Sequence, residues 1–517
     1  MLRVRHVKCD EAKPCCTRCH KDRRKCDGYS TSHLPYKKRS SKSPSPSVFS
    51  ALPALPDFDD FRQKEFFAFF VSCTSAASGV YFGENFWARR VLQLSLSEPS
   101  IRYALCSLSA LHRTSTDHTI TTPELQNYAL QQYSQAVKRT QTLLAETSNG
   151  SPDKLIKGLV ACVLFVCYEN FTGNYHIATM HLQNGLRIIT KESSKNVQST
   201  IPKDIVHVFR RLDLQAIAFS DCRAPYPDHL YQEPLRLITT PATNFRSIED
   251  CMDVVLRLCR WLFREASRSE LRPCPVPSSD IQFAQTALAQ WNEEIQHFLI
   301  PFSTKPTDQV HRPIALLKMY QIIMTAIIAT GIHGQETLHD AHLSEYQLVL
   351  DLGASLLPSG HVFSSTNRFF CFDIGVIFPL FWVATKCRDP RTRRRAITLL
   401  KTMHHQEGMW KSTTAAKVAE FVMSIEEEGL REVGEQSQVE ERKRVQFAMR
   451  MDEEGLRPGG CQSQVVEARR VHLVNMMADA EKGVILVSCV MREGGDAGGG
   501  DWYTRDGRVS YSGKEVK

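Results

Sequence analysis

The sequence predicts a mainly α protein: a large all-helical body, preceded by a small Cys-rich head and a disordered linker, and followed by a tail with a short β-hairpin. Three observations carry this. From Asp57 to about residue 430, apolar residues recur at steps of three and four, as in Leu125, Tyr128, Ala129, Tyr133, Ala136 and Val137. Few strand-like alternations occur before residue 480. Cys9, Cys16, Cys19 and Cys26 are concentrated among Lys and Arg at the start of the chain. The resulting segments are 1–29 (head), 30–56 (linker), 57–430 (body) and 431–517 (tail).

The totals fit an ordinary soluble protein: 517 residues, 42% hydrophobic and 23% charged. Its length suffices for one large or two medium domains. The 17 cysteines are scattered, and Arg3, Arg5 and Lys8 are followed by no apolar stretch of the secretory kind. A reducing compartment is therefore expected rather than a disulfide framework. The longest apolar runs, Leu159–Tyr168 and Ile374–Thr385, fall short of the roughly 20 residues that span a bilayer. Both read as buried helices, and no membrane partner is expected. The net charge of +8 is unevenly spread. Residues 1–42 hold 13 Lys or Arg against 4 Asp or Glu, so the rest of the chain is close to neutral. That asymmetry points to a polyanionic partner for the head.

In chain order, the linker 30–56 is rich in Ser, Pro and Lys and cannot build a core. Helices are expected over Lys64–Ser72, Ile101–His112, Glu124–Glu146, Leu155–Tyr168, His176–Ile189, Ile205–Phe219 and Met252–Ala266. They continue over Ile281–Phe298, Ile314–Ile332, Ser344–Leu357, Phe370–Lys386, Pro390–Met403 and Thr414–Glu428. Breaks at Pro99, Pro123, Pro152, Pro202 and Pro313 separate several of them. In the tail, Glu427-Glu428-Gly429-Leu430-Arg431 recurs as Glu453-Glu454-Gly455-Leu456-Arg457, and Arg444-Val445 recurs as Arg470-Val471. The offset is 26 residues, which reads as a local tandem duplication, since two copies do not make a solenoid. The runs Gly483–Met491 and Trp502–Tyr511 alternate as strands around a Gly-rich turn and predict the hairpin.

The head carries the chemistry. Cys16-x-x-Cys19 has the spacing at which two thiolates grip one Zn²⁺, with Zn–S distances of about 2.3 Å. Cys9 and Cys26 lie symmetrically outside, each six residues away. Basic neighbours favour the thiolate form, and so short a segment needs metal to fold. Cys15 would spoil both spacings and reads as a bystander.

Arg3 through Tyr29 resemble the fungal binuclear zinc-cluster (Zn2Cys6) transcription factors. In that family six cysteines hold two zinc ions. The resemblance makes Cys9, Cys16, Cys19 and Cys26 the third to sixth ligands. Leu2 stands where the second belongs, and the first would precede Met1. As written, the chain would therefore hold one zinc ion or none. A misplaced start or lost exon competes with a genuine loss of DNA binding. The resemblance further implies a short helix in the major groove of double-stranded DNA. Arg3, Arg5, His6 and Lys8 would approach base edges and phosphates, and Arg18, Lys21, Arg23 and Arg24 would lie against phosphates. Arg23, Arg24, Lys25 and Lys37, Lys38, Arg39 resemble a bipartite nuclear import signal. A nuclear location and contact with the transcription machinery follow from the same resemblance. Homodimerisation stays open, because no heptad run follows the head.

The body is similar, from about residue 60 to 430, to the helical regulatory domain of one branch of these factors. The similarity rests on Phe66-Phe67-x-Phe69-Phe70, Tyr81-Phe82-Gly83-x-x-Phe86-Trp87, Arg211-Leu212-Asp213-Leu214-Gln215-Ala216 and Glu407-Gly408-x-Trp410, among other stretches. No nucleotide loop, nucleophile elbow or His-Glu-x-x-His is present, and an enzyme is not expected. Glu169, His176, Asp213 and Asp373 are expected as buried, satisfied polar residues. His404 and His405, read as helical neighbours, would diverge too far to share a metal. Two functions stand: a sequence-specific, zinc-dependent regulator of RNA polymerase II transcription, or a regulator-like protein that acts through protein partners without DNA.

Overall fold

A computed structural model describes Lys21 and residues 58–82, 85–116, 122–145, 151–195, 200–220, 245–271, 278–302, 308–331, 335–357, 370–428, 469–479, 484–492 and 502–510. The chain divides into residues 1–55 and 56–517. The second unit is mainly α. Helix α1 (Phe61–Phe69) starts where the Asp60 carboxylate accepts the Gln63 N–H at 2.6 Å, and it continues through a π-helical turn, Phe70–Thr74, to Ser78. A second π-helical turn, Asn85–Arg90, carries Phe86 and Trp87 into the core. There follow α2 (Val91–Ser97), α3 (Pro99–Thr116), α4 (Thr122–Ala145), α5 (Pro152–Thr172), α6 (Tyr175–Lys195) and α7 (Lys203–Ser220). Beyond residue 245 come α8 (Ile248–Leu271), α9 (Ser278–Leu299), α10 (Asp308–Thr330), α11 (Leu343–Leu356), α12 (Ile377–Lys386), α13 (Pro390–Thr402) and α14 (412–428). Helix α3 is buried from Ser100 to His112, with α1, α2, α4 and α5 packed around it. Helix α10 takes the same role for α8, α9, α11 and α12.

Most described helices fall where the apolar periodicity places them. Helix α2 (Val91–Ser97) lies outside the expected stretches, and a second exception is informative. Residues 370–386 read as one helix, but the helix begins only at Ile377. Phe370–Cys371 (β1) instead pairs in parallel with Gln406–Glu407 (β2), which turns through Gly408 at φ +51° onto Trp410–Lys411 (β3). Asp373 and Gly375 interrupt the helical pattern between β1 and α12. Their role is set by partners far away in sequence, so local periodicity misreads them. His404 and His405 also lie outside any helix, His404 with φ +42°.

Two helices, Pro152–Thr172 and Val310–Thr330, are long and apolar enough by length and composition to cross a bilayer, which the shorter apolar runs in the sequence did not suggest. In each, 67% of the apolar window is buried against the rest of the protein, as core helices require.

The tail forms a three-stranded antiparallel sheet in the order β4 (Val471–Asp479), β5 (Val484–Arg492) and β6 (Trp502–Ser510). The expected hairpin is its second half. Strand β4 escaped the sequence reading because a bulge between Val471 and Leu473 breaks its alternation. Val471, Met476, Ile485, Val487, Cys489, Met491 and Val509 join the same apolar core as the helices.

The first copy of the duplication begins at Glu427, at the end of α14, and the second leads into β4. The two ends they separate are already in contact, because the Val471 N–H donates to Glu426 at 2.7 Å. Removing residues 429–454 leaves Glu428 followed by another Gly-Leu-Arg and keeps Arg470 and Val471. The shortened protein should still fold with the Glu426–Val471 contact in place, and urea denaturation should show a stability no lower than that of the full chain.

Candidate functional site

Two buried polar clusters stand out among the described residues. The first joins α7 to the turns around the small sheet. Arg211 donates through Nε to both Asp373 oxygens at 2.7 Å, and both side chains are almost fully buried. Its guanidinium lies 5.8 Å from the Phe82 ring centre. Burial pushes the Asp373 carboxyl up, while Arg211 and the Ile374 N–H pull it back. Two residues along α7, Asp213 pairs with Arg260 of α8 at 2.6 Å.

Glu407, on β2, caps α12 from outside. Its Oε1 accepts from the Val376 N–H at 2.8 Å and its Oε2 from the Ile377 N–H at 2.9 Å. A carboxylate at a helix N-terminus satisfies orphan donors and complements the helix dipole. His405 Nε2 lies 3.0 Å from Glu407 Oε1. The approach demands glycine at two places. A Cβ at Gly375 would collide with the Glu407 carboxylate, and one at Gly408 with the Gln215 amide.

The second cluster is ionic and ties the tail sheet to the helices. Arg388 donates to Glu336 at 2.9 Å and to Glu426 at 2.7 Å, and Arg393 reaches Glu426 at 2.6 Å. Lys386 donates to Glu336 at 2.7 Å and to the His472 carbonyl at 2.5 Å. Arg470, 1% exposed, forks onto Asp340 at 2.6 and 2.8 Å and also donates to the Glu336 carbonyl. Burial alone would raise the Glu336 carboxyl, but Lys386 and Arg388 outweigh it and hold it well below the usual carboxylate range. Arg388 and Arg393 likewise hold Glu426 down against burial.

Of the polar residues singled out in the sequence, Glu169, Asp213 and Asp373 are buried and partnered, Glu169 by the Asn174 amide at 2.8 Å. His176 differs: it is exposed on α6. The zinc ligands Cys9, Cys16, Cys19 and Cys26 lie outside the described residues. So do the DNA-contact and import residues Arg3, Arg5, His6, Lys8, Arg18, Arg23, Arg24, Lys25, Lys37, Lys38 and Arg39. Lys21 is described, as an exposed residue in a helical turn. Among the described residues, no group of three or more His, Cys, Asp or Glu could hold a metal ion. Sequence reasoning missed Glu336, Arg388, Glu426 and Arg470, since charged residues at such positions look solvated until their partners are known. The Arg211–Ala216 and Glu407–Trp410 stretches were visible as motifs, though not as neighbours.

Residues 65–422 match the fungal specific transcription factor domain. The chain belongs to this family. It is 24% identical to the aspercryptin biosynthesis cluster-specific transcription regulator of Emericella nidulans, over 81% of this chain and 85% of that protein. It is 30% identical to a transcription regulator of Purpureocillium lilacinum, over 36% of this chain and 47% of the relative. An uncharacterized transcriptional regulatory protein of Schizosaccharomyces pombe is 27% identical over 60% of this chain and 57% of its own length. No solved structure matches the chain. The family and these relatives are transcription regulators, not enzymes. Both clusters fall largely within the matched region, with Glu426, Arg470 and the tail sheet just beyond it.

Two substitutions probe the clusters. Gly375→Ala should destabilise by about 1–3 kcal/mol, because the new Cβ displaces the Glu407 carboxylate. Glu426→Gln should destabilise by about 3–5 kcal/mol at neutral pH by stranding buried arginines. Glu336 and Glu426 titrate lower in the folded protein than in the unfolded chain. Their stabilisation is therefore complete above the ordinary carboxylate range, about 4, and is lost as pH falls through the depressed folded values. The gap between wild type and Glu426→Gln in urea melts should narrow below that range.

Proposed function

We propose that the protein is a zinc-dependent, sequence-specific DNA-binding regulator of RNA polymerase II transcription that acts in the nucleus. Its family membership over 65–422, together with the basic Cys-rich head, supports this most directly. Cys9, Cys16, Cys19 and Cys26 are the residues that would hold zinc, whose chemistry is structural: it folds a segment too short for a core of its own. Arg3, Arg5, His6 and Lys8 then meet base edges and phosphates of double-stranded DNA, and Arg18, Lys21, Arg23 and Arg24 phosphates alone. Residues 23–25 and 37–39 supply nuclear import. The helical body is the regulatory part, facing the transcription machinery.

Leu2 favours the second reading, in which the protein acts through protein partners without DNA, because it stands where the zinc-cluster family places a ligand.

The deciding experiment uses the full-length protein. Selection from random duplexes should enrich a defined sequence, and Cys16→Ser should lose both bound zinc and the gel shift while circular dichroism shows the helical body intact. Retained DNA binding in Cys16→Ser would remove the ligand assignment. Absence of zinc and DNA binding from wild type would leave the partner-only reading.

A further inference from the structure

Two small cavities share Trp410 in their linings, each with a volume of about 10 Å³. They are alike in size and differ in chemistry. The first is walled by Leu214, Gln215 and Ala218 of α7, by Tyr320 of α10, by Ile374 and Gly375 before α12, by Phe378 within it, and by Glu407 and Trp410. Gln215 is 3% exposed, and neither its amide oxygen nor its amide nitrogen has a hydrogen-bond partner among the described residues. Trp410 Nε1 is buried in the same condition. The Glu407 carboxylate stands in the same wall, and the Tyr320 hydroxyl donates to the Gly375 carbonyl at 3.4 Å. Buried polar side chains in folded proteins are almost always hydrogen-bonded, and so large an orphaned amide calls for a ligand. The second cavity is lined chiefly by apolar side chains, among them Phe219, Met409, Met476 and Ile485, together with Tyr175, Lys411 and Thr414. Apart from Trp410 Nε1, no orphaned buried polar side-chain atom lines it.

We infer that the cavity beside Gln215 is a binding site for a single water molecule, held by the Gln215 amide and the Trp410 indole and bridging α7 to the β2–β3 turn. Its volume is that of about one water probe, and it offers the two to four polar partners that a buried water requires. Gln215 can donate and accept at once, so one water can satisfy both ends of the bridge. The second cavity is as large, but apart from Trp410 Nε1 its lining holds no orphaned polar atom, and it stays dry. The site joins two stretches that are distant in sequence, Arg211–Ala216 and Glu407–Trp410. It also accounts for Gly408, where any side chain would push the Gln215 amide out of place.

The test is a crystal structure of the full chain at a resolution that shows ordered water, paired with Gln215→Met. Wild type should show one density peak within hydrogen-bond distance of the Gln215 amide and none in the second cavity. Gln215→Met, an apolar side chain of similar length, should lose the peak and melt at an unchanged or higher temperature. A dry cavity with the Gln215 amide bonded to protein atoms would overturn the inference, as would water in both cavities. A persistent peak in Gln215→Met, or a drop of several degrees in its melting temperature, would equally show that Gln215 serves another partner.

Discussion

Glu426 is the carboxylate on which the joining of sheet and helices depends. It sits fully buried at the end of α14 and takes Arg388, Arg393 and the first N–H of β4 at once. Through Arg388 it is coupled to Glu336, and Glu336 to Lys386, so that five segments meet at one set of charges. Buried ion pairs contribute little net stability against an apolar core of equal volume, yet breaking one strands a charge at high cost. The apolar core therefore supplies the bulk of the stability. The ionic cluster selects which segments meet, because any other docking of the sheet leaves an arginine or a glutamate alone in the interior. It also places the tail sheet in the domain proper, although the family similarity ends at residue 422.

The cluster around Glu407 works by a related rule on a smaller scale. Helix α12 begins without a capping side chain of its own, and the donors at its start are taken by a carboxylate some 30 residues on. Close approach is bought with two glycines. Arg211 and Asp373 then clamp the same turn from the opposite side. Between them these contacts hold α7, α12 and the β2–β3 turn in one arrangement, and the Gln215 cavity lies where the three meet.

Much of the helical body was legible in the sequence because an amphipathic helix records its burial every three or four residues. Leu125 through Val137 and the buried stretch of α5 are examples. What remained hidden shares a single cause. Phe370–Cys371 is a strand only because Gln406–Glu407 lies beside it, Asp373 breaks a helix only because Arg211 needs it, and β4 loses its alternation to a bulge. Arg388, Arg470, Glu336 and Glu426 gave no signal, since burial of a charge depends on a partner that sequence alone does not pair with it. The residues of the Gln215 cavity were visible as two separate motifs, and only the fold makes them one site.

The charge distribution connects this architecture to the reading of the protein as a regulator. Many of the body's strongest charges are spent on each other: Arg211 on Asp373, Arg260 on Asp213, Arg388 and Arg393 on Glu426, Arg470 on Asp340. Charges neutralised inside a fold release no counterions from a polyanion and add little to its attraction. By composition, the surplus of basic residues lies in residues 1–42, which hold 13 basic and 4 acidic residues. On the proposed function, long-range attraction to nucleic acid would concentrate in the head, while the body, close to neutral by sequence, is suited to contacts decided by shape and local chemistry. The proposed division, with DNA met by one part and protein partners by another, would need that separation of charge.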